Sequence, residues 1–94
     1  MSQGAILIKA DATTAGIFPA NGSDFQLEEL QGFVDGLIEI VTISENVIMV
    51  VNEDGKGCLP KNVMATVLAK AHGAIFPEDH IAGNVLLCPS DMVK

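Results

Sequence analysis

The chain predicts a single small α+β domain, residues 1–94, with a mixed or antiparallel sheet and two helices packed on it in the order β-α-β-β-α-β. Three observations point there. Four short runs, AILIKA (5–10), LIEIVTI (37–43), VIMVV (47–51) and NVLLC (84–88), are aliphatic or β-branched and have no helical period. Two longer segments, opening at Ser23 and at Asn62, place apolar residues at helical spacing behind capping side chains. Ninety-four residues, 49% of them apolar, are enough for one core and not for two.

AILIKA begins the sheet, and the connection DATTAGIFPANGS (11–23) follows, so that a strand and a loop occupy residues 1–23. A connection this long is usually functional or mobile, and it has room for a short irregular strand around Ile17 and Phe18. Ser23 then starts a helix. Its hydroxyl is placed to accept the Gln26 N–H, with Gln26 reciprocating in an S-x-x-Q capping box. Phe25, Leu30, Phe33 and Val34 form the apolar stripe, and Asp24, Glu28 and Glu29 set negative charge at the positive helix end. Gly36 stops the helix.

LIEIVTI and VIMVV pair as a hairpin through Ser44, Glu45 and Asn46. Glu39 interrupts the first strand, so one of its faces is only half covered. VIMVV is apolar throughout, which suits a central strand. In the second helix, VMATVLAKAH, the cap is Asn62 and the apolar spacing is carried by Val63, Met64, Val67, Leu68 and Ala71, with Gly73 at the C-terminal stop. The loop IFPEDHIAG leads to NVLLC, which Pro89 ends. The order is compatible with a split βαβ sandwich, two helices on one sheet. No repeat, low-complexity tract or linker interrupts the chain.

Composition narrows the function. Trp and Tyr are absent and Phe occurs four times, so the core is aliphatic. A mean hydropathy of +0.41 is high for a soluble chain this short, so either the interior is unusually complete or apolar surface is shared in a homo-oligomer, the preferred expectation. The apolar runs are far shorter than the roughly 20 residues that span a bilayer, and the N-terminus lacks the basic and long apolar regions of a signal peptide. Cys58 and Cys88 sit in no metal-spaced or redox pair, so both read as free thiols in a reducing cytosol. Twelve acids stand against five lysines and no arginine, a net charge of −7. Phosphate backbones are bound by clustered Lys and Arg, so direct nucleic-acid binding is not expected.

Catalytic signatures are missing. Gly55-Lys56-Gly57 is only a fragment of a phosphate loop, and neither a dinucleotide fingerprint nor a nucleophile elbow occurs. A thiol nucleophile would need His72 or His80 as base; Cys88 reads as a small core residue and Cys58, in a loop, is the better thiol. Glu78-Asp79-His80 places ligand types side by side, but adjacent residues seldom converge on one ion, and His72 at a helix end is favoured by the dipole alone. Glu53 and Asp54 are neighbours in a turn whose side chains should diverge. The expectation is a protein that is not an enzyme, with no catalytic residue, metal or cofactor.

The candidate site is the stretch NEDGKGCLPKN (52–62). Asp54-Gly55 reads as a chain reversal with Gly55 at positive φ, Pro60 stiffens the approach to the helix, and Asn62 caps it. Three fragments, LEELQGFVDGLIEIV, NEDGKGCLPKNVMAT and DHIAGNVLL, resemble a family of small domains recurring in bacteriophage and bacterial genomes, a domain of unknown function. Its members read L-E-E-L-Q…V-G-G-x-I-E, N-E-E-G-K…L-P-x-N-x-x-A-T and D-x-I-x-G-x-V-L, and the resemblance covers about residues 27 to 87. It departs at Asp35, which stands where the family tends to have its first glycine, and in the spacing around Gly57 and Cys58. The resemblance implies a phage or mobile-element origin and the bacterial host cytosol, and it implies no activity. It also places Asn52, Glu53, Gly55, Lys56, Pro60, Asn62, Ala65 and Thr66 in the family's signature. Architecture explains Gly55, Pro60, Asn62 and Ala65, and leaves Glu53, Lys56 and Thr66 over.

The binding candidates are therefore Asn52, Glu53, Asp54, Lys56, Cys58, Asn62 and Thr66. The first functional expectation is an accessory protein that binds and modulates or inhibits a host protein, as a counter-defence factor does. The alternative is a protein that sequesters an anionic metabolite or signalling nucleotide on Lys56 and the backbone N–H groups around Gly55 and Gly57, or at the start of the helix after Asn62.

Overall fold

Alternation along one strand sets the architecture. Strand β4 (Val47–Asn52) turns Ile48 and Val50 to one side and Met49 and Val51 to the other, and all four are buried. A strand buried on both faces needs a cover on each. Helix α1 (Leu27–Val34) covers the first through Leu30 and Val34, and α3 (Val63–Ala71) covers the second through Ala65 and Ala69. The two helices pack on the sheet as expected, one on each face, so the arrangement is not the two-layer one of a split βαβ sandwich.

The structure, a computed structural model, describes residues 4–93; the remaining termini of the 1–94 domain lie outside the described residues. With β1 (Ala5–Ile8), β2 (Thr14–Ile17), β3 (Ile38–Thr42) and β5 (Val85–Pro89), the sheet runs β2-β1-β5-β4-β3. Every neighbouring pair is antiparallel. The short strand expected around Ile17 and Phe18 is β2, ending at Ile17 and pairing with β1 as a hairpin. VIMVV lies inside the sheet, but the middle strand is β5. The hairpin through Ser44–Asn46 forms, with the Ile43 N–H donating to Val47 O at 3.0 Å.

Helix α1 starts three residues later than the Ser23 capping box predicts. The Asn21 carboxamide takes the N–H groups of Ser23 and Asp24 at 2.8 and 3.0 Å, and the Phe25 N–H donates to Met92 O at 2.8 Å. These bonds hold residues 21–25 outside the helix. Gln26 is the N-cap, and its N–H donates to Glu29 Oε1 at 2.8 Å, so the capping chemistry is Q-x-x-E in place of S-x-x-Q. Phe25 still joins the core, its ring edge-on to Phe33 at 5.8 Å. At the other end Asp35, and not Gly36, takes the left-handed conformation, at φ 65°. That is where the family resemblance places a glycine, and the departure is met by one residue type that tolerates the region.

Helix α3 starts at Asn62 and stops at Gly73, whose φ is 67°, as its sequence predicts. Its orientation is the reverse of the expected one. Ala65, Thr66 and Ala69 face the sheet, whereas Val63, Met64 and Val67 point to solvent. Small residues let the helix approach the sheet closely, and buried polar bonds fix it there. A single helical turn, α2 (Gly55–Cys58), was not expected in the loop before it.

The β1–β2 turn carries a conformation that alanine rarely adopts, φ 75° at Ala12. Glycine meets no Cβ penalty there. Ala12→Gly should therefore raise stability in urea denaturation by about 0.5–1 kcal/mol, net of the added freedom of the unfolded chain. A loss of stability would contradict the turn geometry.

Candidate functional site

The stretch 52–62 is held at both ends by carboxamides. Asn52 closes β4; its Oδ1 accepts the Asp54 N–H at 2.8 Å and its Nδ2 donates to the carbonyls of Val34 and Asp35 at 3.0 and 3.2 Å. It thereby satisfies the C-terminal carbonyls of α1. Gly36 is where this close approach requires glycine, since a Cβ there would lie 2.7 Å from Asn52 Nδ2. Asp54 and Gly55 do not reverse the chain by positive φ; they open α2. Gly55 packs tightly here, since a Cβ would lie 3.1 Å from the Ala82 carbonyl oxygen.

Asn62 anchors the far end. Its buried Nδ2 donates to Ile8 O at 3.0 Å and Gly83 O at 2.8 Å, and its Oδ1 accepts the Ala65 N–H at 3.0 Å. Its own N–H donates to Ile81 O at 2.8 Å. Thr66 Oγ1 donates to Asn62 O at 2.7 Å and accepts the Ile81 N–H at 2.9 Å. Both side chains are saturated inside the protein, so two of the seven candidates do architectural work. Thr66, left unexplained by the sequence, joins α3 to the segment before β5.

The rest divide by position. Asn52, Glu53 and Lys56 line a small pocket of about 80 Å³ together with Glu39, Asp79 and His80, while Asp54 and Cys58 are exposed away from its walls. Glu39 and Val41 on β3, with Ile75 and Asp79, continue from this pocket into an open groove of about 800 Å³ between β3 and the loop 73–79. Lys70 and Phe76 lie along the groove, and Phe76 is 73% exposed. Lys56 Nζ is ion-paired with Asp79, which also accepts the His80 N–H at 2.8 Å. The Lys56 ammonium, followed by that amide, holds the Asp79 carboxyl below its ordinary range. Sequence reasoning missed Glu39 as a site residue; the signal available was a lone acid in an apolar strand. The sequence offers Asp79 only as a metal ligand and His80 as a ligand or as the base for a thiol, and among the described residues no three His, Cys, Asp or Glu side chains converge on an ion position.

The two thiols are free and unlike. Cys58 is exposed, whereas burial, and secondarily the Asp91 carboxylate, pushes the Cys88 thiol up to about 11. No helix among the described residues is long and apolar enough to cross a membrane.

Residues 5–92 match the sequence pattern of the family described as domain of unknown function DUF3846. The chain belongs to that family. No curated protein and no solved structure matches it. The family description names no activity, so function has to be argued from this chain's own groove and surfaces.

Three outcomes follow from these contacts. Thr66→Val, which keeps the shape and removes the hydroxyl, should cost about 1–3 kcal/mol in chemical denaturation by stranding the Ile81 N–H, with Thr66→Ser close to wild type. In an NMR titration the Asp79 carboxyl should titrate below 3.8, the stability it lends being lost as pH falls through that folded value. In Lys56→Met it should move back upward. A disulfide-exchange reagent at pH 8 should label Cys58 at once and Cys88 only on unfolding. Stability linked to the Cys88 thiol should be full below pH 9.0 and fall as pH rises towards about 11, because the fold retains the proton that the unfolded chain gives up.

Proposed function

We propose that the chain is a small non-enzymatic accessory protein, of phage or mobile-element origin and working in the host cytosol, that binds a host protein and modulates or inhibits it, as a counter-defence factor does. The partner enters as an extended basic segment laid along β3. One observation carries the reading: the edge of the sheet is open beside the groove. Leu37 O accepts the Glu53 N–H at 2.8 Å and Val47 O accepts the Ile43 N–H at 3.0 Å, so residues 37, 39, 41 and 43 bond inward to β4. Antiparallel alternation then turns the N–H and C=O groups of Ile38, Ile40 and Thr42 outward.

An added strand can pair with those groups, the mode by which many domains capture extended peptides. Its alternate side chains would enter the groove over Val41, Ile75 and Phe76. Across the groove and its adjoining pocket Glu39, Glu53 and Asp79 outnumber Lys56 and Lys70, and in a chain of net charge −7 that balance favours lysine or arginine there. The absence of chemistry rests on the sequence, which carries no catalytic signature. The alternative, an anionic metabolite or nucleotide, has less to support it. Lys56 would have to leave Asp79, and the Ala65 and Thr66 N–H groups at the start of α3 are already bonded to Asn62.

The test is affinity capture from host lysate with wild type and two variants whose fold is checked by thermal denaturation. Glu39→Lys with Glu53→Lys should lower recovery of the specific partner about tenfold. Ile40→Pro, which removes only an outward N–H, should abolish it. Recovery unchanged in both variants would exclude this surface. A rise in melting temperature with saturating nucleotide would instead favour sequestration, because a ligand that binds the native state must stabilise it.

A further inference from the structure

Helix α3 turns its large apolar side chains away from the sheet. Val63, Met64 and Val67 are 61%, 42% and 62% exposed, while Ala65 and Ala69 are fully buried. At about 100° per residue, Ala71 lies on the same outward stripe, opposite the buried alanines. The solvent side of a surface helix is ordinarily polar, and this one holds no charged residue on its outward stripe.

The charges nearest the stripe in sequence have one sign, although Lys70 also lies along the groove that Glu39 and Asp79 line. The sequence between Asp54 and Glu78 has no carboxylate, although the chain has twelve, and it contains Lys56, Lys61, Lys70 and His72. Lys61 and Lys70 are both exposed and flank the stripe at the two ends of the helix. The rest of the chain sets all twelve acids against Lys9 and Lys94. The surface of α3 is therefore apolar with a cationic border on an otherwise acidic protein.

We propose that the outward face of α3 is a second docking surface, and that its occupant is an amphipathic helix of a partner protein whose apolar stripe is bordered by aspartate or glutamate. Such a helix buries the valines and methionine and supplies the carboxylates that Lys61 and Lys70 lack. A second copy of this chain fits poorly. Packing α3 on its own equivalent offers the lysines no acid, and each copy brings a net charge of −7. The outer face of another copy's α1 is acidic but presents only Leu27 as a large exposed apolar residue. A lipid surface is also a poor fit, since three large apolar side chains on a nine-residue helix bury little area in a headgroup layer. The α3 face adjoins the groove, with Lys70 on the border of both, but docking there does not depend on the groove being occupied.

The experiment uses the full chain and two synthetic helical peptides of about five turns, each with a leucine stripe, one bordered by glutamate and the other by lysine. Fluorescence anisotropy should show the glutamate peptide binding about tenfold more tightly than the lysine peptide. Val67→Glu, at an exposed position, should weaken it about tenfold, Lys61→Glu with Lys70→Glu should reverse the preference, and Glu28→Lys, exposed on α1 across the sheet, should leave it unchanged. Failure of both peptides to bind, equal binding, or indifference to Val67→Glu would overturn the proposal. So would light scattering that finds a dimer which Val67→Glu dissociates, assigning the face to a second copy. Recruitment to phosphatidylcholine–phosphatidylglycerol vesicles, lost in Val67→Glu and with no preference between peptides, would overturn it in favour of lipid.

Discussion

Asn62 is the side chain on which the arrangement depends, because its carboxamide meets three chain segments at a point water does not reach. Two donors go to Ile8 O at the end of β1 and Gly83 O before β5, and the acceptor takes the Ala65 N–H in the first turn of α3. No other side chain of this size offers two donors and one acceptor in one plane. Aspartate would bury a charge with no donor for the carbonyls, and leucine would leave three backbone groups unpaired, each costing about 1–3 kcal/mol. Thr66 adds a second link between the same segments. Among the described residues, every buried side-chain nitrogen and oxygen has a hydrogen-bond partner.

That anchor explains why α3 can bury alanines and expose valines. A helix held only by apolar contact would turn its largest side chains to the sheet, where each fully buried Val or Leu contributes about 1.5–3 kcal/mol. Here the polar contacts fix the rotation of the helix, and the close approach they require admits only Ala65, Thr66 and Ala69. The consequences reach the groove. Asn62 holds the start of α3 against Ile81 and Gly83, and Asn52 ties the other end of the loop to α1. Between them Lys56 is brought to Asp79, which sets one wall against the other.

What could be read in the sequence was local. The strand runs, the Ser44–Asn46 hairpin, the Asn62 cap and the Gly73 stop each follow from neighbouring residues. VIMVV, apolar throughout, was legible as a strand inside the sheet, but which face each helix covers was not. What could not be read was decided by residues far apart in the chain. S-x-x-Q and Q-x-x-E both occur at the start of α1, and a bond from Phe25 to Met92 selects the second. The spacing of Val63, Met64 and Val67 predicts a stripe but not which side of the helix the sheet takes. The groove and its adjoining pocket draw Glu39, Glu53 and Asp79 from three segments, and no motif links them. Within NEDGKGCLPKN the division is clean: Asn52, Gly55 and Asn62 build the loop, while Glu53 and Lys56 face the pocket and Cys58 faces solvent.

The central claim is that the Asn62 anchor belongs to the most stable part of the molecule, so that both walls of the groove are fixed and not folded around a partner. Native-state amide hydrogen exchange tests it most directly. The amides of Ala65, Thr66 and Ile81 should exchange as slowly as those of β4 and β5, opening only with global unfolding, while residues 54–58 exchange quickly. Exchange of Ala65, Thr66 and Ile81 through a separate local opening, well below the free energy of global unfolding, would contradict it.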